Sequence, residues 1–128
     1  MKQPRMGRRA AAALAATVLG AGRAAAHHGW AWAEEEQTEL RGTLRDLYLG
    51  YPHPTLRVQA ADGLWIVELA PPGQTARAGF TADSVAPGDL VVAIGNRSRA
   101  QGERRMKAVR IIVRGRTFDV YPERIRGS

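Results

Sequence analysis

The chain has 128 residues, 45% of them apolar types, no cysteine, and a formal net charge of +7 from 19 Lys+Arg against 12 Asp+Glu. That length suits one domain, and the lack of cysteine excludes disulfides and thiolate sites. The first 26 residues hold five basic side chains and no acid, leaving 14 basic against 12 acidic groups beyond them, so the charge makes no case for nucleic acid as a partner.

In chain order, Lys2, Arg5, Arg8 and Arg9 form a positive segment, Ala10 to Gly22 an uncharged apolar run, and Ala24 and Ala26 a small-residue pair at the −3 and −1 positions. Those are the three parts of a secretory signal in the right order. The run is too short to span a bilayer, which takes about 20 residues. Residues 1–26 are therefore read as a signal peptide cut after Ala26. Arg8-Arg9 lacks the flanking residues of a twin-arginine signal, which favours the Sec route. The expected product is a periplasmic protein of 102 residues with no transmembrane segment after cleavage.

Residues 27–36 then read as an N-terminal arm carrying Trp30, Trp32 and the acidic run Glu34-Glu35-Glu36. Residues 37–122 read as a β-barrel-like domain. Its first strand runs from Thr38 to Leu49, bent near Gly42, and is ended by Pro52 and Pro54, which flank His53. Thr55 to Ala60 alternates apolar and polar residues, Asp62-Gly63 marks a hairpin, and Leu64 to Leu69 is the return strand. Thr75 to Phe80 predicts one or two helical turns. Leu90 to Gly95 is a fourth strand, Asn96 to Arg105 a polar loop, and Met106 to Val113 a fifth strand. In that strand Met106, Ala108 and Ile112 oppose Lys107, Val109, Ile111 and Val113. Arg114-Gly115-Arg116 turns into a short terminal strand, and 123–128 form a tail. The predicted fold is mainly β, a small five- to six-stranded OB-like barrel with one short helix between strands 3 and 4.

The protein's three histidines, His27, His28 and His53, are its candidate metal ligands. If His27 is the mature N-terminus, its amine and ring Nδ1 chelate one ion, and His53 supplies a third nitrogen, an arrangement known as a histidine brace. His28 is an alternative ligand through its ring and amide. Nitrogen ligands in a tetragonal layout favour Cu(II), and prolines on both sides of His53 suit a preorganised ligand. The expected cofactor is copper and the expected role binding or delivery, with no catalytic residues assigned. The plainer readings are a solvated histidine at a chain end and a loop histidine bonded within its own turn.

A second hypothesis needs no metal. The barrel face, the tryptophans and the arginines from Arg97 to Arg116 would bind another periplasmic protein or an anionic envelope component. Against it, arginine on strand faces commonly serves solubility, and Trp65 has a ready role in core packing.

Several segments together carry a resemblance: Ala26-His27-His28-Gly29-Trp30, the Leu40 to Leu44 segment, Tyr51-Pro52-His53, the stretch from Ala76 to Phe80, and the turn Pro87-Gly88-Asp89. They resemble a set of small exported bacterial proteins grouped as domain of unknown function 6152. In that family a His-His pair follows the leader, and Asn-Pro-His follows the first strand. Here Tyr51 stands in place of the usual Asn. The resemblance implies secretion and implies that His27, His28 and His53 belong together; it implies no reaction.

Overall fold

The computed structural model describes residues 28–126, the side chain of His28 excepted. They fall into two compact units divided after Trp32. The first contributes one described element, the single-turn helix α1 (His28–Ala31). The second carries strands β1 (Ala33–Tyr48), β2 (Thr55–Ala60), β3 (Gly63–Glu68), β4 (Leu90–Ser98), β5 (Arg105–Val113) and β6 (Arg116–Asp119). Helix α2 (Pro72–Arg77) lies between β3 and β4, and 3₁₀ turns span Ala82–Ser84 and Pro122–Arg124.

The fold is mainly β, with one six-stranded sheet in the order β3-β2-β1-β4-β5-β6. Neighbours in that order are antiparallel. β3 and β5 also pair in parallel, from Ile66 opposite Arg105 to Glu68 opposite Lys107. The hydrogen-bonded neighbours β1, β2, β3, β5 and β4 thus follow one another in a cycle.

β1 makes this possible by serving two partners. Residues up to Thr43 face β4, and residues from Thr43 onward face β2. Next to that handover stands Gly42, where a Cβ would lie 2.7 Å from Val58 Cγ1 and 2.8 Å from the Gln59 carbonyl carbon. Only glycine allows strands to approach so closely. The turn Pro87-Gly88-Asp89 is sewn to the same strand: Leu44 N–H donates to the Asp89 carbonyl, and Gly88 N–H donates to that of Leu44, each at 2.8 Å.

Two β-bulges decide which side chains enter the core. The β1–β2 register shifts between Leu44 and Asp46, so Leu40 and Leu44 are followed inward by Leu47. The β4–β5 register shifts between Ile94 and Gly95, which leaves Val109 as the extra residue on β5. Strict alternation set Ile112 with Met106 and Ala108. Beyond the bulge the core instead takes Ile111 and Val113, leaving Ile112 partly exposed. The freed Val109 carbonyl accepts the N–H groups of Val120 and Tyr121, at 3.0 and 3.2 Å.

Three boundaries differ from expectation. β1 begins at Ala33, inside the segment read as an arm, because Ala33 is buried opposite Ser98. β4 runs on to Ser98 through the segment read as a polar loop, since Asn96 and Ser98 are buried in it. The start of the tail forms the 3₁₀ turn Pro122–Arg124, held by the Gln37 Nε2 bond to the Arg124 carbonyl at 2.7 Å. Helix α2 starts at Pro72, with proline where its missing N–H does no harm. It ends in a Schellman pattern: Phe80 N–H bonds the Thr75 carbonyl and Gly79 N–H bonds that of Ala76, with Gly79 at φ 92°. That turn drops Phe80 into the core, edge-on to Phe118 at 5.2 Å between centroids.

Candidate functional site

The β1–β2 loop carries His53. Pro52 and Pro54 restrict the backbone on either side of it, and the Tyr51–Pro52 peptide is cis. The Pro54 carbonyl accepts Leu69 N–H at 2.8 Å, tying the loop to the end of β3. Across the loop tip Tyr48 Oη donates to the Tyr51 carbonyl at 2.7 Å, and both tyrosines stay exposed. His53 itself is partly buried, and its Nδ1 is fully buried with no hydrogen-bond partner among the described residues. A neutral imidazole has one donor and one acceptor nitrogen, so this ring keeps capacity for a proton donor or a cation.

Beside the loop lies a buried ionic group that sequence reading missed. Lys107 Nζ donates to Glu68 Oε1 at 2.8 Å, and Arg105 Nη2 donates to Glu68 Oε2 at 3.0 Å. The Lys107 side chain is 1% exposed. The parallel β3–β5 pairing sets Glu68 opposite Lys107, and the Tyr121 ring lies 5.8 Å from the ammonium. Burial pushes the Glu68 carboxyl up, but the hydrogen bonds from Lys107 and Arg105 outweigh it and hold the group below its ordinary value. The charge of Lys107 adds to this. Burial, followed by the charge of Glu68, pushes the Tyr121 phenol up to about 12. The available signal was a lone lysine between Met106 and the Ala108-Val109 pair, but its cover comes from Tyr121, distant in the chain.

Of the three expected metal ligands, the structure places His53. His27 and the ring of His28 lie outside the described residues. Among the described residues, no group of three or more His, Cys, Asp or Glu could hold a metal ion.

Trp65 is a core residue, 3% exposed. Its Nε1 donates to Asp62 Oδ1 at 2.8 Å, and the Arg97 guanidinium lies 5.0 Å from its ring centroid. The Trp65 bond is the main cause of a lowered Asp62 carboxyl, which slight desolvation opposes and Arg104 and Arg97 reinforce. Several other arginines of this region hold acids of the same domain: Arg110 pairs with Asp119, Arg114 with Asp89 and Arg104 with Asp62. Among the described residues, no helix is long and apolar enough to cross a membrane.

A model of the family described as "Family of unknown function (DUF6152)" matches residues 15–106. No curated protein matches the chain. Among solved structures, a chain in the crystal structure of TiaS with tRNA, AMPCPP and agmatine is similar at 15% identity and a TM-score of 0.48. The match covers 61% of this chain and 18% of the other, so the present chain spans less than a fifth of that protein.

Proposed function

Since the chain belongs to that family of unknown function, we propose from its own residues that it is an exported, periplasmic copper-binding protein. Residues 1–26 act as its signal peptide. His27, through its amine and Nδ1, and His53 hold Cu(II), with His28 an alternative ligand, in a binding or delivery role. The observation that carries the reading is His53: an imidazole on a backbone restricted by two prolines, with a buried Nδ1 lacking a hydrogen-bond partner among the described residues. A nitrogen ligand set and an ion high in the Irving–Williams order fit that ring. Within the same proposal the sheet is an OB-type barrel. The parallel β3–β5 pairing and the place of α2 between β3 and β4 support it.

The test is a Cu(II) titration of protein beginning at His27, of the same protein with one added N-terminal residue, and of His53→Ala. Each change should weaken binding by at least about tenfold, a loss of about 1.4 kcal/mol. Equal affinity in all three forms contradicts the brace.

A further inference from the structure

An antiparallel strand with one solvated face normally points polar side chains toward water. β4 does otherwise. Its Val91 and Ala93 fill the core, and the alternating set Leu90, Val92 and Ile94 faces outward. Leu90 is 77% exposed, and Val92 and Ile94 are partly exposed. Ile112 of β5, opposite Val92 and also partly exposed, widens this aliphatic stripe. An apolar stripe rimmed by polar residues on a sheet face marks an interaction surface.

The rim says what the stripe fits. Directly opposite residues of an antiparallel ladder share a face. Ile94 lies between Glu39 on β1 and Arg110 on β5, so one row across the sheet reads acid, aliphatic, base. The neighbouring row reads Arg41, Val92, Ile112. Glu39 holds Arg41 at 2.7 Å and Arg110 holds Asp119 at 2.6 Å, and all four side chains keep a face to water. A two-fold axis along β4, in the plane between two stacked sheets, turns the first row over onto itself. Glu39 then meets Arg110 of the partner subunit, Arg110 meets Glu39 of the partner subunit, and aliphatic meets aliphatic between them. A two-fold across the strands, between the two rows, would instead set Arg110 against the aliphatic Ile112. Only the first arrangement matches both charges of the row.

We infer that this face binds a second copy of the chain, forming a two-fold dimer with β4 stacked on β4 and Glu39 of each copy against Arg110 of the other. The contact is isologous, as a two-fold requires, and aligned sheets stack in this way about 10 Å apart. Four aliphatic side chains per copy make a small interface beside the roughly 1,200–2,000 Å² of stable ones. The dimer is therefore weak and forms as concentration rises. It uses none of the three histidines and stands or falls separately from the copper reading.

The test is analytical ultracentrifugation of the purified full chain in chelator-treated buffer. The parent should dimerise with Kd below about 100 μM. Glu39→Arg and Arg110→Glu should each weaken association at least about tenfold, because like charges then face each other twice. An equimolar mixture of those two variants should recover the dimer, since each reversed side chain again meets its opposite; that recovery also shows both chains folded. Leu90→Asp, at a side chain already 77% exposed and so harmless to the fold, should weaken association as much. His53→Ala should dimerise as the parent does. A stripe that serves another protein or a lipid surface leaves the parent monomeric at about 1 mM, which overturns the inference. So does association that survives Leu90→Asp and both charge reversals, a mixture that stays monomeric, or a dimer lost in His53→Ala.

Discussion

Lys107 is the residue whose surroundings depart furthest from its type. A lysine is almost never fully buried unless paired, and here one carboxylate and one aromatic ring meet its ammonium. Removing one partner of a buried pair is more damaging than removing both. Lys107→Met is expected to lose about 3 kcal/mol in urea unfolding, and adding Glu68→Leu should recover most of that, because Arg105 is exposed enough to turn to water. Equal stability of the single variant and the parent would contradict the pairing. The pH dependence follows from the same group. Glu68 lies below its ordinary value of 4.5, so its contribution is present above that pH and is lost as acid carries the solution through its lower folded value. Tyr121 is shifted the other way, from 10.0 to about 12, so its contribution is present below pH 10.0 and is lost as the pH climbs toward 12. Absorbance at about 295 nm should show a phenol ionising late, and Tyr121→Phe should remove that step.

At the scale of elements, the strands with clean alternation were readable and the irregular ones were not. Thr55 to Ala60 matches β2 residue for residue, and Asp62-Gly63 marks the β2–β3 turn as expected. Gly42 stood out as a glycine amid leucines and threonines, and what the structure shows there is a close approach of strands. Its test is Gly42→Ala, whose Cβ meets Val58 and the Gln59 backbone; a loss of about 1–3 kcal/mol in thermal unfolding is expected. The inward face of β5 was misread because the bulge at Val109 shifts the period by one, and nothing in Met106 to Val113 announces an extra residue. Asn96 and Ser98 looked like loop residues because the bonds that bury them come from segments far away or out of pattern. Asn96 serves the carbonyls of Glu34 and Glu35, and Ser98 donates to Glu103. Asn96→Ala should cost about 1–3 kcal/mol, measured by chemical unfolding, since two carbonyls lose their donor.

For the molecule as a whole, the histidine pattern was legible as residue types, and His53 was legible as a constrained loop residue. Its neighbours were not: Glu68, Arg105, Lys107 and Tyr121 meet only because β3 lies parallel to β5 and the chain returns over β5 after β6. The copper proposal adds to His53 a mature N-terminus at His27, which requires cleavage after Ala26. Electron paramagnetic resonance of Cu(II)-loaded protein beginning at His27 tests the junction most directly. The account predicts hyperfine coupling to three nitrogens, falling to two in His53→Ala. A spectrum that His53→Ala leaves unchanged would contradict it.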